Sequence, residues 1–118
     1  MRKHHISFMH AWEGISAGFR TQPNFRIHLI LSGLVVIAGF IFHISHIEWA
    51  IIIFTISTGL AVELVNTSIE YTVDLLTQQY HFLAKMAKDT AAGAMLVYAL
   101  FSIVIAVIIF LPKIWLFF

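Results

Sequence analysis

The sequence predicts an all-α integral membrane protein, with an N-terminal amphipathic surface helix followed by three transmembrane helices. Three observations carry that prediction. The mean hydropathy is +0.91, with 60% hydrophobic and 11% charged residues, whereas an average soluble domain is about half apolar and about a quarter charged. Two long runs carry no charge at all. The N-terminal segment shows helical rather than continuous apolar spacing. A chain of 118 residues is enough for one domain, and a globule of that size cannot hide so much apolar surface from water. A bilayer is the solvent that fits.

The surface helix is read over residues 5–21. Phe8, Trp12, Ile15 and Phe19 recur at four- and three-residue spacing, with Lys3, His10, Glu13 and Arg20 between them. That pattern belongs to a helix lying in the membrane surface. Gln22-Pro23-Asn24 reads as a break, after which the chain turns into the bilayer. Arg2 and Lys3 are followed by histidines rather than an apolar run, so no secretory leader is expected.

The first span is read over 26–46, within a stretch (27–47) free of Asp, Glu, Lys and Arg. It reaches the roughly 20 residues a helix needs to cross the hydrocarbon core. The second span is read over 48–76 and includes a cytoplasmic extension, because acids enter after Val62 while the apolar pattern continues. The third is read over 88–114, containing the uncharged run 90–112. Arg2, Lys3, Arg20 and Arg26 precede the first span, and Lys85 and Lys88 lie between the second and third. The loop from His43 to Glu48 has no Lys or Arg. By the positive-inside rule the N-terminus and the 77–89 loop are cytoplasmic and the C-terminus is outside. The expected location is the plasma (inner) membrane. Trp49, Trp115 and the Phe117-Phe118 end suit an outer interfacial belt. His43 and His46 read as an interfacial turn rather than a metal site. A net charge of +1 excludes a nucleic-acid footprint, and the absence of cysteine excludes a disulfide framework or thiolate metal site.

Chemistry concentrates in the second span. At about 100° per residue, Asn66, Glu70 and Asp74 all lie within about 60° of Glu63 around the helix. Three carboxylates and a carboxamide therefore share one stripe. An acid in a span costs about 2.5 kcal/mol or more on insertion scales and usually marks a functional path or site. Hard divalent cations, which prefer oxygen ligands, relieve repulsion among such acids. Lys85, Lys88 and Asp89 are placed in the facing loop and at the start of the third span. Carboxylates, Mg²⁺ and a lysine at the membrane surface suit a nucleotide polyphosphate. A bland reading stands beside this one. Asp74 at the water interface costs little, and a lone buried Glu63 is as well explained as a structural hydrogen-bonding residue. The weight comes from the constellation. No Gly-x-x-x-x-Gly-Lys-Ser/Thr phosphate loop occurs.

Glu63-Leu64-Val65-Asn66-Thr67-Ser68-Ile69-Glu70, then Asp74, then Lys88-Asp89 with Ala91-Ala92-Gly93-Ala94, resembles the prokaryotic diacylglycerol kinase family. Asn24-Phe25-Arg26-Ile27-His28 is similar to the Gram-positive-type undecaprenol kinase branch. The resemblance covers nearly the whole chain and keeps the family's spacing. It implies a homotrimer with active sites shared between subunits at the cytoplasmic surface. It also implies transfer of the ATP γ-phosphate, with Mg²⁺, to a lipid hydroxyl. Carried over by position, Glu63 matches the general base and Glu70 a Mg²⁺ ligand. Asn66, Lys88 and Asp89 match residues around the nucleotide and reaction centre, and Gln79-Tyr80-His81 a nucleotide-contacting stretch. Lys3 and His10 stand where the family often has Arg and Tyr near the nucleotide. Gln22 stands where the family commonly has an acid as second Mg²⁺ ligand. Asn24 and Arg26, with Glu63, fall on the acceptor side.

Undecaprenol is the expected acceptor, from the Asn24–His28 match, with diacylglycerol the alternative. Two non-kinase readings remain. A transport or proton-relay subunit would need its polar stripe to continue across the membrane, and the outer part of the second span lacks acids and bases. A non-catalytic assembly partner is motivated by Gln22.

Overall fold

The computed structural model describes residues 2–118, with side chains from Ser7 onward. The described chain is all-helical: α1 (Arg2–Thr21), α2 (Pro23–Ile41), α3 (His46–Leu76) and α4 (Phe82–Phe117). Each of α2, α3 and α4 is long and apolar enough to cross a membrane. α3 packs against all three other helices. Among the described residues, α2 and α4 flank it without close backbone contact with each other.

α1 and α3 end at the expected residues, Thr21 and Leu76, and the other helix ends differ from the expected spans, for local reasons. α2 begins at Pro23, whose fixed φ suits the first turn and whose missing N–H is not needed there. It stops at Ile41 rather than near 46, because the chain closes a Schellman motif. Ile44 N–H donates to Gly39 O at 3.2 Å and His43 N–H to Phe40 O at 3.4 Å, with His43 in the left-handed region at φ 53°. α3 starts at once through a capping box. Ser45 Oγ accepts from Glu48 N–H at 3.1 Å, and Ser45 N–H donates to Glu48 Oε1 at 2.9 Å. The other oxygen, Glu48 Oε2, accepts from Lys113 Nζ at 2.7 Å. One side chain thereby caps α3 and ties its start to the far end of α4. α4 starts at Phe82, six positions before the expected 88, with His81 Nδ1 accepting from Leu83 N–H at 3.1 Å.

The buried apolar cluster sits at this capped end: Ile44, Ile52, Ile109 and Phe110, with Phe42 and Trp49 packed on it. Little else is covered. The molecule measures 54 × 42 × 21 Å, so its broad faces leave large apolar side chains such as Ile30, Phe54 and Ile108 exposed. In water that surface would be untenable, whereas in lipid it is the normal outside of a spanning helix. On α1, Phe8, Trp12, Ile15 and Phe19 are all exposed. Gly18 packs toward α3, where an added Cβ would lie 3.0 Å from Leu64 Cδ2, while Gly14 faces open space.

Gly39 is the tightest point of the α2–α3 hairpin: a Cβ there would meet the Trp49 ring at 2.7 and 2.9 Å and Ile44 Cδ1 at 3.1 Å. Gly39→Ala is therefore expected to destabilise the protein by about 1–3 kcal/mol through overpacking. Unfolding in detergent micelles measures it, and an unchanged midpoint would mean that Trp49 moves aside freely.

Candidate active site

The stripe foreseen on one helix is real in three dimensions and graded along its length. Glu63 is 8% exposed, Asn66 and Glu70 are half-buried, and Asp74 is exposed. Thr67, also buried, turns its hydroxyl back to donate to Glu63 O at 3.0 Å. Asn66 Nδ2 reaches Glu70 Oε1 at 3.5 Å. Asn66 Oδ1 is buried and has no hydrogen-bond partner. Among the described residues the Glu63 carboxylate takes no hydrogen bond either, which removes the main support for a purely structural Glu63. A buried polar group left unpaired is costly, and in a native protein it calls for an explanation.

Glu63 opens onto an apolar groove of about 540 Å³, floored by α3 and walled by α2 and α4. Asn24 and His28 line it from α2, and Met95 and Tyr98 from α4. At the other end of the stripe is a second, polar cavity of about 270 Å³. Asp74, Gln79, Tyr80, His81, Lys88 and Asp89 all line it. Lys88 Nζ donates to Asp74 Oδ1 at 2.6 Å, joining α4 to the stripe. Both side chains are about half exposed, so this pair orients the lysine more than it stabilises the fold.

One placement differs from the sequence reading. Lys85 was expected in the facing loop, but α4 begins at Phe82, so Lys85 lies on the first turns of the helix together with Lys88 and Asp89. Asp89 lines the same cavity as Asp74 and Lys88, at the exposed end of the stripe. It accepts from Lys85 Nζ at 2.6 Å on its own helix, an i,i+4 pair. The remaining residues scatter. His10 pairs with Glu13 at 3.5 Å on the exposed part of α1. Arg26 is exposed at the start of α2. Lys3 lies outside the described side chains. Gln22 holds the α1–α2 corner, where its backbone carbonyl accepts from Phe25 and Arg26 N–H and its side chain makes no capping bond. Thr21 Oγ1 lies 3.0 Å from Tyr71 OH, so the corner that carries Gln22 is tied to the residue next to Glu70. Among the described residues no three of His, Cys, Asp and Glu group as a ready metal site.

Sequence reasoning missed Thr67, the Glu48–Lys113 tie, and the meeting of His28 with Tyr98. Ser45-x-x-Glu48 was a legible capping signal. Thr67 bonds back one turn to Glu63, whereas the Glu48–Lys113 and His28–Tyr98 contacts join residues 65 and 70 positions apart and left no local trace.

The model of the prokaryotic diacylglycerol kinase family matches residues 9–110. The chain belongs to that family. Every candidate residue except Lys3 falls inside the matched stretch. An undecaprenol kinase of Bacillus subtilis (strain 168) is 50% identical over 107 residues, covering 91% of this chain and 87% of the relative. A diacylglycerol kinase of Synechocystis sp. is 42% identical over 108 residues, covering 91% of this chain and 62% of the relative. A diacylglycerol kinase of Escherichia coli (strain K12) is 28% identical over 106 residues, covering 90% and 84%. Family membership and the three apolar helices together make this a membrane protein.

Proposed function

We propose that this protein is a lipid kinase that transfers the γ-phosphate of ATP to the hydroxyl of a membrane lipid, with undecaprenol as acceptor in preference to diacylglycerol. The observation that carries the reading is Glu63, a buried residue whose carboxylate opens onto an apolar groove and takes no hydrogen bond from the described residues. Membership of the kinase family supports the reaction. The 50% identical undecaprenol kinase supports the acceptor.

In this reading the lipid enters the groove by its tail and brings its hydroxyl to Glu63. Glu63 takes the hydroxyl proton as the lipid oxygen bonds to the γ-phosphorus and the bond from that phosphorus to the β,γ-bridging oxygen breaks, releasing ADP. A positioned general base contributes about 10²–10⁴-fold. The polar cavity around Lys88, Asp89, Gln79, Tyr80 and His81 takes the nucleotide, with Lys88 facing its phosphates. Asn24 and Arg26 lie on the acceptor side, and His10 and Lys3 contribute from α1. The donor set fits Mg²⁺: the orphaned Asn66 Oδ1 and the Glu70 carboxylate are hard oxygen ligands one turn apart, and Mg²⁺ takes one or two carboxylates plus phosphate oxygens and water. When bound, the ion would neutralise charge developing on the phosphoryl oxygens. Gln22 adds at most a neutral oxygen.

The α1 row Phe8, Trp12, Ile15 and Phe19 is exposed as a membrane-surface helix requires. The uncovered broad faces of the three spans suit assembly into a homotrimer with shared sites. The lysines flanking α3 and α4 on the Asp74 side favour a cytoplasmic active site and an outside C-terminus.

Glu63→Gln is expected to lower phosphoryl transfer by about 10²–10⁴-fold in micelles with ATP·Mg²⁺ and undecaprenol, while the protein still assembles. Mixing that variant with Lys88→Met subunits should restore part of the activity if sites are shared, and no recovery would count against a shared site. Full activity of Glu63→Gln alone would remove Glu63 as the base. Gln22→Glu is expected to lower the Mg²⁺ concentration needed for half-maximal rate, and an unchanged requirement would place Gln22 away from the ion. A single cysteine at position 79 should react with an impermeant maleimide only from the cytoplasmic side, and labelling from outside would invert the topology.

A further inference from the structure

His28 of α2 and Tyr98 of α4 meet across α3. Their rings are stacked, with centroids 5.5 Å apart and planes 18° from parallel. Both lie directly over Gly59, where any added Cβ would collide with His28 Cε1 and with the Tyr98 ring. Tyr98 OH donates to Thr55 O at 2.8 Å and lies 3.5 Å from His28 Nε2. Because α2 and α4 have no close backbone contact, the two rings are what closes the space between these helices at this level. Gly59 is four residues, about one turn, from Glu63 on the same face of α3. His28, Tyr98 and Glu63 all line the one groove.

We propose that the His28–Tyr98 stack seated on Gly59 is a specificity wall. It selects an acceptor whose hydroxyl-bearing end continues as plain hydrocarbon and rejects one that carries ester groups beside its hydroxyl. This inference rests on the lipid-kinase reading and deepens it.

Hydrogen-bond donors at the stack are all taken. Tyr98 has one hydroxyl proton, and it is used on Thr55 O. The neutral His28 ring has one N–H, and two acceptors lie beside the ring, the Tyr98 oxygen and the Ile56 backbone, so neither tautomer leaves that proton free. The Thr55 and Ser102 hydroxyls are bonded back to their own helices, to Ile51 O at 2.7 Å and Ala99 O at 2.8 Å. Ser32 lies one turn beyond His28, further from Glu63 than the stack. The Asn24 carboxamide lines the groove one turn before His28, on the Glu63 side of the stack, so at the level of the stack itself the groove offers ring faces and aliphatic side chains and no free donor. A polyprenyl chain placed there loses no hydrogen bond. The ester carbonyls of a diacylglycerol would lose water and find no replacement, and sites that leave a buried polar group unpaired discriminate strongly. Gly59 matters because only a residue without Cβ lets both rings lie flat against α3.

The test uses the full-length protein in micelles with ATP·Mg²⁺ and two acceptors assayed separately, undecaprenol and dioleoylglycerol. The readout is the ratio of kcat/KM values for the two, with KM for ATP measured alongside and assembly checked by size exclusion. Wild type should favour undecaprenol. In His28→Ala and Gly59→Ala the ratio should fall by at least about fivefold while KM for ATP stays within about twofold. Tyr98→Phe keeps the ring, and His28 keeps the Ile56 backbone as acceptor for its N–H, so no donor is freed and the ratio should stay near wild type even if Gly59→Ala proves too disruptive to assemble. A wild type that phosphorylates neither lipid removes the kinase reading, and the wall with it. An active wild type that favours dioleoylglycerol overturns the wall alone, as does an unchanged ratio in His28→Ala. A ratio lost as deeply in Tyr98→Phe, or a parallel fall in both acceptors and in ATP affinity, overturns it as well.

Discussion

Placing a carboxylate inside an apolar spanning helix costs about 2.5 kcal/mol or more, and α3 carries one at Glu63, where the side chain is buried and takes no hydrogen bond from the described residues. The rest of the molecule is arranged around that cost. The acids that follow, Glu70 and Asp74, lie on the same stripe, yet each is more exposed than the one before. The charge cluster is therefore carried by the half-buried end of α3 rather than by its apolar middle. Lys88, arriving from α4, meets the stripe at its most exposed member. The buried acid is left facing the groove.

That division of labour follows α3 from end to end. At one end, packing is dense and specific: a Schellman motif at His43, the capping box of Ser45 and Glu48, the Glu48–Lys113 pair and the apolar cluster at Ile52 and Phe110. At the other, contacts are sparse, polar and half-solvated. A rigid end holds three long helices in register, so that side chains far along them meet reproducibly. The Lys88–Asp74 contact and the His28–Tyr98 stack both depend on that register. Neither comes from helices that touch closely over their whole length.

The two cavities differ in chemistry as the two substrates of a lipid kinase differ. The groove beside Glu63 is aliphatic and aromatic, with its few hydroxyls already bonded, and it suits a hydrocarbon. The cavity at the start of α4 holds lysine, aspartate, glutamine, tyrosine and histidine, and it suits a charged nucleotide. The half-buried Asn66 and Glu70 lie on α3 between Glu63 and Asp74, the level where a phosphoryl group would pass from one cavity to the other. An unpaired carboxamide oxygen at that level is what a site built for a metal and a phosphate would leave open.

The sequence by itself determined the helices, the three apolar runs, the shared face of Glu63, Asn66, Glu70 and Asp74, and the family. These are local or periodic properties: 3.6-residue spacing places the stripe without reference to anything else in the chain. It placed Lys88 and Asp89 near the exposed end of the stripe, but sequence proximity does not reveal that Lys85, one turn away, takes the aspartate on the same helix. The helix ends at Thr21 and Leu76 were placed from the apolar pattern and its breaks, while the start of α3, set by the cap of Ser45 and Glu48, was read two residues late. Only the tertiary structure decided which carboxylate is buried, which lysine crosses to which acid, and that His28 and Tyr98, 70 residues apart, stack over Gly59. Those contacts are set by the packing of α2 and α4 on either side of α3, and a glycine that matters because two distant rings lie on it looks in sequence like any other.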